Sequence, residues 1–325
     1  MSRIAIYSRV SKSIAFTMLI AGLTAAQALT PAGSKRPAAV PAEFVITPYG
    51  YFHPSCVTRL DKGDEVRKDE NVIRHANGAY DSIHVCGFPH FNNKGEKVSD
   101  TETADVKAST VKQPTISHAW VEYSSVTTSS SYGELAAEWT VPPAPTTNNG
   151  QTVYLFPGME DYADVVTIIQ PVLGWNSDFA SAWGIASWNC CKSGTVFEAT
   201  PQRVNPGDTI YGAMWDTCAA GTLSCPTWDI LTYDLTNGKY SELLNTSSQG
   251  QTFNWAFAGA LEVYNIVQCS NYPPNGSISF HNLYLYNNSF NRIVSPNWSV
   301  SNTSSGLTPQ CSYGGSISQQ INLTY

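Results

Sequence analysis

The sequence predicts an all-β fold, an antiparallel sandwich or barrel, and three observations carry that prediction. From His118 onward, short β-rich runs are broken by Gly, Pro, Asn and Ser. No run of about a dozen residues or more shows helical periodicity, and strands without intervening helices imply an antiparallel all-β domain. All 9 Trp lie between Trp120 and Trp298, so the aromatic mass that builds a core is confined to the same stretch. With 42% hydrophobic and only 13% charged residues, the 325-residue chain collapses rather than staying disordered.

Charge divides the chain in two. Residues 1–117 hold 14 Lys+Arg and 11 Asp+Glu, a net of +3, and residues 118–325 hold 4 and 14, a net of −10. The second part has too few cations to neutralise a phosphate backbone, which excludes nucleic acid as a partner.

At the start, Arg3, Arg9 and Lys12 precede an apolar run from Ile14 to Ala26, and Ala26-Gln27-Ala28 has the small-x-small form of a signal-peptidase site. Residues 1–28 are expected to be a cleaved signal peptide. The run is too short and too diluted by Thr17, Gly22 and Thr24 to anchor the chain in a bilayer. The expected destination is secretion, extracellular or periplasmic, as a monomer with no membrane attachment.

Residues 29–117 read as a prosegment or small N-terminal domain. The stretch 29–42 is Pro/Ala-rich, 43–91 carries Cys56 and Cys86, and 92–117 is a polar linker open to proteolysis. Export permits disulfides, and 8 cysteines is an even number. The candidates are Cys56, Cys86, Cys190, Cys191, Cys218, Cys225, Cys269 and Cys311. Each region can pair internally; Cys218 with Cys225 is favoured across its short loop, which sends Cys190 and Cys191 to Cys269 and Cys311. No spacing supports a metal ligand set, and no cofactor is expected.

Within 118–325 the expected strands are 119–123, 134–141, 152–156, 165–170, 182–188, 209–215, 228–234, 253–267 and 277–286, with turns at Asn149-Gly150, Asn205-Pro206-Gly207-Asp208, Thr236-Asn237-Gly238 and Asn275-Gly276.

Nucleophilic catalysis lacks a base: residues 118–325 offer only His118 and His281, with no GxSxG, no HExxH and no phosphate-binding glycine loop. Carboxylate chemistry remains. Strand alternation over 254–267 places Trp255, Phe257, Gly259, Leu261 and Val263 on a core face. Ala256, Ala258, Ala260, Glu262 and Tyr264 fall on the other, a floor of alanines ending in an acid and a phenol. Gln170 ends a β-branched run before Pro171, which predicts a strand end or edge. Its amide offers donors for an oxyanion without changing charge at low pH. Taken singly, a hydrogen-bonded structural Glu and a polar strand Gln are the more ordinary readings of these two residues.

Together they form a pattern. The succession EWTVP (138–142), YLFPGMED (154–161), TIIQPVLGW (167–175), VNPGDTIYGAMW (204–215) and AGALEVY (258–264) resembles the glutamic peptidases called eqolisins over roughly residues 119–290. The resemblance implies a concanavalin-like antiparallel β-sandwich, a jelly roll, in a secreted, acid-acting endopeptidase made with a prosegment. It implies catalytic roles for Gln170 and Glu262, with a directly activated water, and peptide or protein substrates. By position it adds Phe156 and Glu160 near the site, with Trp175, Trp183, Trp188 and Tyr264 as further substrate-binding candidates. The family's acid beside its tryptophan-rich strand is absent from residues 182–189.

Two other readings of the same sandwich stand beside it. A lectin-like module would use Trp175, Trp183, Trp188 or Trp215 as sugar platforms, and a glycoside hydrolase would pair Glu262 with Glu138 or Glu160. A calcium site from Glu160, Asp161 and Asp164 competes with an ordinary acidic turn.

Overall fold

The computed structural model describes residues 36–67, 71–98, 119–163, 167–190, 194–302 and 309–325. The expected signal peptide, most of the 92–117 linker, His118, Asp164 and Cys191 lie outside the described residues.

The first third supplies eight short strands: β1 (Val45–Thr47), β2 (Gly50–Phe52), β3 (Val57–Leu60), β4 (Glu65–Arg67), β5 (Val72–Arg74), β6 (Tyr80–Ser82), β7 (His90–Phe91) and β8 (Lys97–Val98). The sandwich proper begins with β9 (Trp120–Thr127), β10 (Tyr132–Thr140), β11 (Thr152–Glu160), β12 (Ile168–Trp175) and β13 (Trp183–Cys190). It continues through β14 (Val196–Ala199), β15 (Gln202–Val204), β16 (Thr209–Asp216), β17 (Thr227–Asp234) and β18 (Tyr240–Ser247). It closes with β19 (Trp255–Tyr264), β20 (Ser277–Asn287), β21 (Ser299–Asn302), β22 (Gly314–Ile317) and β23 (Ile321–Thr324).

Two large sheets result. One runs β22-β23-β20-β10-β16-β17-β18-β4-β5-β6, the other β21-β9-β19-β11-β12-β13-β14-β3, with β15 beside β13. They stack face to face, β12 and β13 over β16, β17 and β18, and β19 over β10, β20 and β23. Pairing is antiparallel except where the N-terminal segment joins: β3 lies parallel to β14 and β4 parallel to β18. The first third therefore extends an edge of each sheet, which shields β14 and β18 as open edges. A small sheet of β1, β2, β7 and β8 completes it.

The apolar interior between the sheets is built around Trp139, Leu155, Leu173, Trp183, Leu261 and Phe280 at one end and Leu135, Met159, Met214, Trp228 and Phe253 at the other. A third cluster lies on the outer face of the nine-stranded sheet. There Tyr154, Phe156, Trp120, Trp188 and Tyr264 meet Val40, Phe44, Tyr51 and Phe52 of the N-terminal segment.

All nine expected strands are present, with shifted ends. Pro171 is an exception to the expectation that Gln170 ends a strand, because β12 continues through it to Trp175 in the middle of the sheet. Opposite Pro171, Ser187 donates its backbone N–H across the sandwich to Ser241 Oγ at 3.1 Å. The alternation over β19 also breaks. A bulge between Phe257 and Gly259 turns Ala258 inward and leaves Trp255 and Phe257 on the same face as Ala260 and Tyr264. The floor beside Glu262 is therefore aromatic rather than alanine-lined. Gly259 lies at the bulge because a Cβ there would sit 2.3 Å from the Phe280 ring.

Cys56–Cys86 and Cys218–Cys225 are bridged as expected. The pairing of Cys190 and Cys191 with Cys269 and Cys311 is overturned: Cys269 and Cys311 pair with each other, their Cα atoms 5.6 Å apart, and Cys190 is a buried free thiol. Cys269 sits in the 3-10 turn after β19 and Cys311 just before β22, so chain folding brings these two together, whereas Cys190 ends β13 inside the outer-face cluster.

Candidate active site

Strand parity delivers the site. On β12, Ile168 and Val172 belong to the outer-face cluster, so Gln170 between them points the same way, and on β19 Ala260 and Tyr264 do the same for Glu262. The two strands flank β11, whose Tyr154 is the cross-strand partner of Glu262. Both Gln170 and Glu262 are fully buried.

Among the described residues, Tyr264 and Trp120 donate to the Glu262 carboxylate. Tyr264 O–H reaches Oε1 at 2.5 Å and Trp120 Nε1–H reaches Oε2 at 3.0 Å. These donors fix the orientation of the carboxylate in a low-dielectric pocket. Trp120 in turn packs edge-on against Phe156 and Phe257, with ring centroids 5.5 and 5.0 Å away.

Gln170 donates from Nε2 to the backbone carbonyl oxygen of Pro48 at 3.0 Å, and its Oε1 has no hydrogen-bond partner among the described residues. Pro48 and Tyr49 form the turn between β1 and β2, where Thr47 pairs with Gly50. Gly50 adopts φ +134°, a region open to glycine, where a Cβ would meet the Phe91 carbonyl oxygen at 2.5 Å. Three residues beyond Pro48, the Tyr51 ring stands edge-on to Tyr264 at 5.4 Å and its hydroxyl donates to Asn265 Oδ1 at 3.2 Å. A single hairpin tip thus spans from the Gln170 amide to the phenol that holds Glu262. Tyr154 O–H adds a bond to the Ile46 carbonyl at 3.3 Å.

A second carboxyl group faces the same space. Glu160, at the end of β11, is 2% exposed and its Oε2 lacks a hydrogen-bond partner among the described residues. Burial, with the nearby Glu262 charge adding to it, pushes the Glu160 carboxyl up to about 8. Across β12 in the other direction, Gln170 is opposite Trp188, and Trp188 opposite Glu198. Glu198 is buried and takes Arg59 of β3 on Oε2, through Nε at 3.2 Å and a guanidinium N–H at 2.8 Å; Arg59 also reaches Asp178 at 3.0 Å. Burial and the Asp178 charge push Glu198 up, against the pull of Arg59.

Of the expected site residues, the structure brings Gln170, Glu262, Phe156, Glu160, Trp188 and Tyr264 to one face. Trp175 and Trp183 are corrected: they lie on the opposite face of the sheet, packed against each other at 5.5 Å in the inter-sheet core, and touch neither Gln170 nor Glu262. Glu138 is likewise remote, on the outer face of the other sheet and bonded to Asn282 at 2.9 Å. Asp161 accepts backbone N–H groups of Ala163 and Thr252 at 2.9 Å each, the role of an ordinary turn acid. His281, the described histidine of the sandwich, pairs with Glu138 on that far sheet and supplies no base here. Sequence reading missed Trp120, Tyr154 and the hairpin at 46–51; Tyr154 stood within a matched motif, but no local signal ties Pro48 to Gln170 across 122 positions.

No family model and no curated protein matches this chain. Solved eqolisin peptidases are similar to it. Scytalido-glutamic peptidase bound to a peptide-based transition-state analogue is 12% identical over 63% of this chain and 98% of its own, with a TM-score of 0.47. SCP-B, an eqolisin-family peptidase in complex with the tripeptide Ala-Ile-His, is 14% identical over 63% and 97%, with a TM-score of 0.45. Aspergilloglutamic peptidase from Aspergillus niger is 13% identical over 54% and 98%, with a TM-score of 0.35.

Proposed function

We propose that the sandwich is a secreted, acid-acting glutamic endopeptidase held inactive by its own N-terminal segment. The observation that carries this reading is the Gln170 amide donating to a peptide carbonyl, that of Pro48, beside a doubly hydrogen-bonded Glu262. A chain segment already lies where a substrate would, with its carbonyl on the group suited to hold an oxyanion.

In the reaction, Glu262 as carboxylate accepts a proton from water as the water adds to the scissile carbonyl. Gln170 Nε2 donates to the oxygen on which negative charge develops. The resulting Glu262 acid then protonates the departing amine, so no acyl-enzyme forms. Glu160, held neutral at acid and neutral pH by its burial, places no second negative charge beside Glu262. Phe156, Trp188, Tyr264 and Trp120 line the face on which an extended peptide lies once residues 40–57 have left it.

Release of the first third by cleavage within 99–118 would open this face. The contact to be broken is mainly apolar, through Val40, Phe44, Tyr51 and Phe52, with Arg59 as the ion-paired anchor.

The test is cleavage of a mixed peptide library from pH 2 to 8 by the secreted protein after acid incubation, followed by intact mass, with Glu262→Gln alongside. The reading requires acid-range cleavage, loss of the first third, and abolition of cleavage by the substitution. Folded, processed protein that cleaves nothing at any pH would overturn it.

A further inference from the structure

The outer face of the ten-stranded sheet, on the opposite side of the molecule from Gln170 and Glu262, carries a patch that the proposed reaction does not use. Its residues follow from register. Asp229, Trp215, Glu134 and Tyr286 form one cross-strand row, and Tyr233, Tyr211, Glu138 and His281 another. Between them Ala213 and Ala136 lead to Tyr284. Glu134, Glu138, Tyr284 and Tyr286 all act electrostatically on Tyr211, which places them around one phenol.

The charges here are unbalanced. Glu134, Glu138, Asp229 and Glu242 face outward on these strands, and none forms an ion pair among the described residues, whereas Glu65 farther along the same sheet pairs with Arg67 and Arg74. The cations that do reach this face sit on its rings. Arg292 lies over Tyr284 at 4.6 Å and Lys62 over Tyr240 at 4.4 Å. Tyr233 and Tyr240 stack on each other at 6.3 Å, so their ring faces are taken up by each other and by Lys62 rather than open to a sugar ring.

We propose that this face is a docking surface for an arginine- or lysine-bearing extended polypeptide, whose cations stack on Trp215, Tyr211 and Tyr284 and pair with Glu134 and Glu138. Charge complementarity selects the partner: carboxylates with no cation beside them among the described residues, set among aromatic rings, attract guanidinium and ammonium groups and repel acidic chains. The surface is separate from the catalytic reading and stands if that reading fails.

The test uses the full chain carrying Glu262→Gln, so that the probe is not cleaved, titrated by calorimetry with an octa-arginine peptide at pH 7 and low salt. Saturable binding is expected. Glu134→Gln with Glu138→Gln should weaken it by about tenfold or more, the scale of two lost charge contacts at a partly buried site. The charge-matched exposed pair Glu43→Gln with Asp81→Asn should leave it unchanged, and Arg292→Ala, which frees Tyr284, should tighten it. Absence of binding, equal weakening by both double variants, or preferential binding of a neutral cello-oligosaccharide would each overturn the proposal. An unchanged melting temperature in the double variants confirms that the comparison is between folded proteins.

Discussion

Buried carboxyl groups, Glu160 and Glu122 beside the ion-paired Glu198, set the expected pH dependence of stability. Glu160 and Glu122 are 2% and 0% exposed, and burial pushes each up to about 8 from an ordinary 4.5. Glu122 projects from β9 towards Tyr272, Tyr313 and Tyr325, with backbone N–H groups of Gly314 and Thr324 opposing the shift only in part. A carboxyl whose folded value lies above its unfolded value binds its proton more tightly when folded. Its contribution is therefore fully present below about pH 4.5 and is lost progressively as pH rises towards 8. At 1.36 kcal/mol per pH unit, the interval from 4.5 to 7 removes about 3 kcal/mol for each group. At roughly 2–4 °C per kcal/mol for a domain of this size, each group lowers the melting temperature by roughly 6–12 °C. The assay is thermal unfolding between pH 4 and 8 in the Glu262→Gln background, which under the proposed mechanism prevents self-cleavage and leaves burial, the larger cause, acting on Glu160. Glu122→Gln should remove that residue's share of the pH slope, about 3 kcal/mol between pH 4.5 and 7, and leave the shares of Glu160 and Glu198. A melting temperature that is flat or rises with pH over this range, or a slope unchanged by Glu122→Gln, would refute the reasoning.

Two further outcomes follow from packing. Tyr51→Ala deletes a fully buried ring between Tyr264 and Arg36, a change of the class that costs about 3–5 kcal/mol, and it should speed removal of the first third in an acid time course followed by gel or mass. A release rate equal to that of the parent would mean the hairpin does not hold the segment. Gly259→Ala forces a methyl to 2.3 Å from Phe280 and should lower stability by about 1–3 kcal/mol in urea titration, while the matched change at Gly207, where nothing lies within 4 Å of a Cβ, tests φ alone.

Much of the architecture was legible because strands announce themselves locally. Run 209–215 follows the Asn205-Pro-Gly-Asp turn and run 228–234 leads into the Thr236-Asn-Gly turn; both alternate and both form strands at those places. Strands β14, β15, β18 and β21 to β23 were not anticipated; short polar runs such as Ser299–Asn302 become strands only through the neighbour they pair with. The site divided in the same way. Gln170 and Glu262 stood out by residue type and motif, whereas Trp175 and Trp183, equally prominent as tryptophans, prove to face the core. Trp120, whose indole N–H holds Glu262, sits 142 positions away from it.

The sequence by itself determined the β class and the acidic, Trp-rich stretch from residue 118 onward, because alternation and composition are local properties. Tertiary structure decided which face each strand presents, because one bulge at Phe257–Gly259 reverses parity for everything before it. It also decided that Cys269 joins Cys311, and that Pro48 of the first third lies on Gln170. Those outcomes depend on which distant segments share a surface, a choice made by the burial of Tyr51, Phe52 and Tyr264 together and written in no single stretch of the chain.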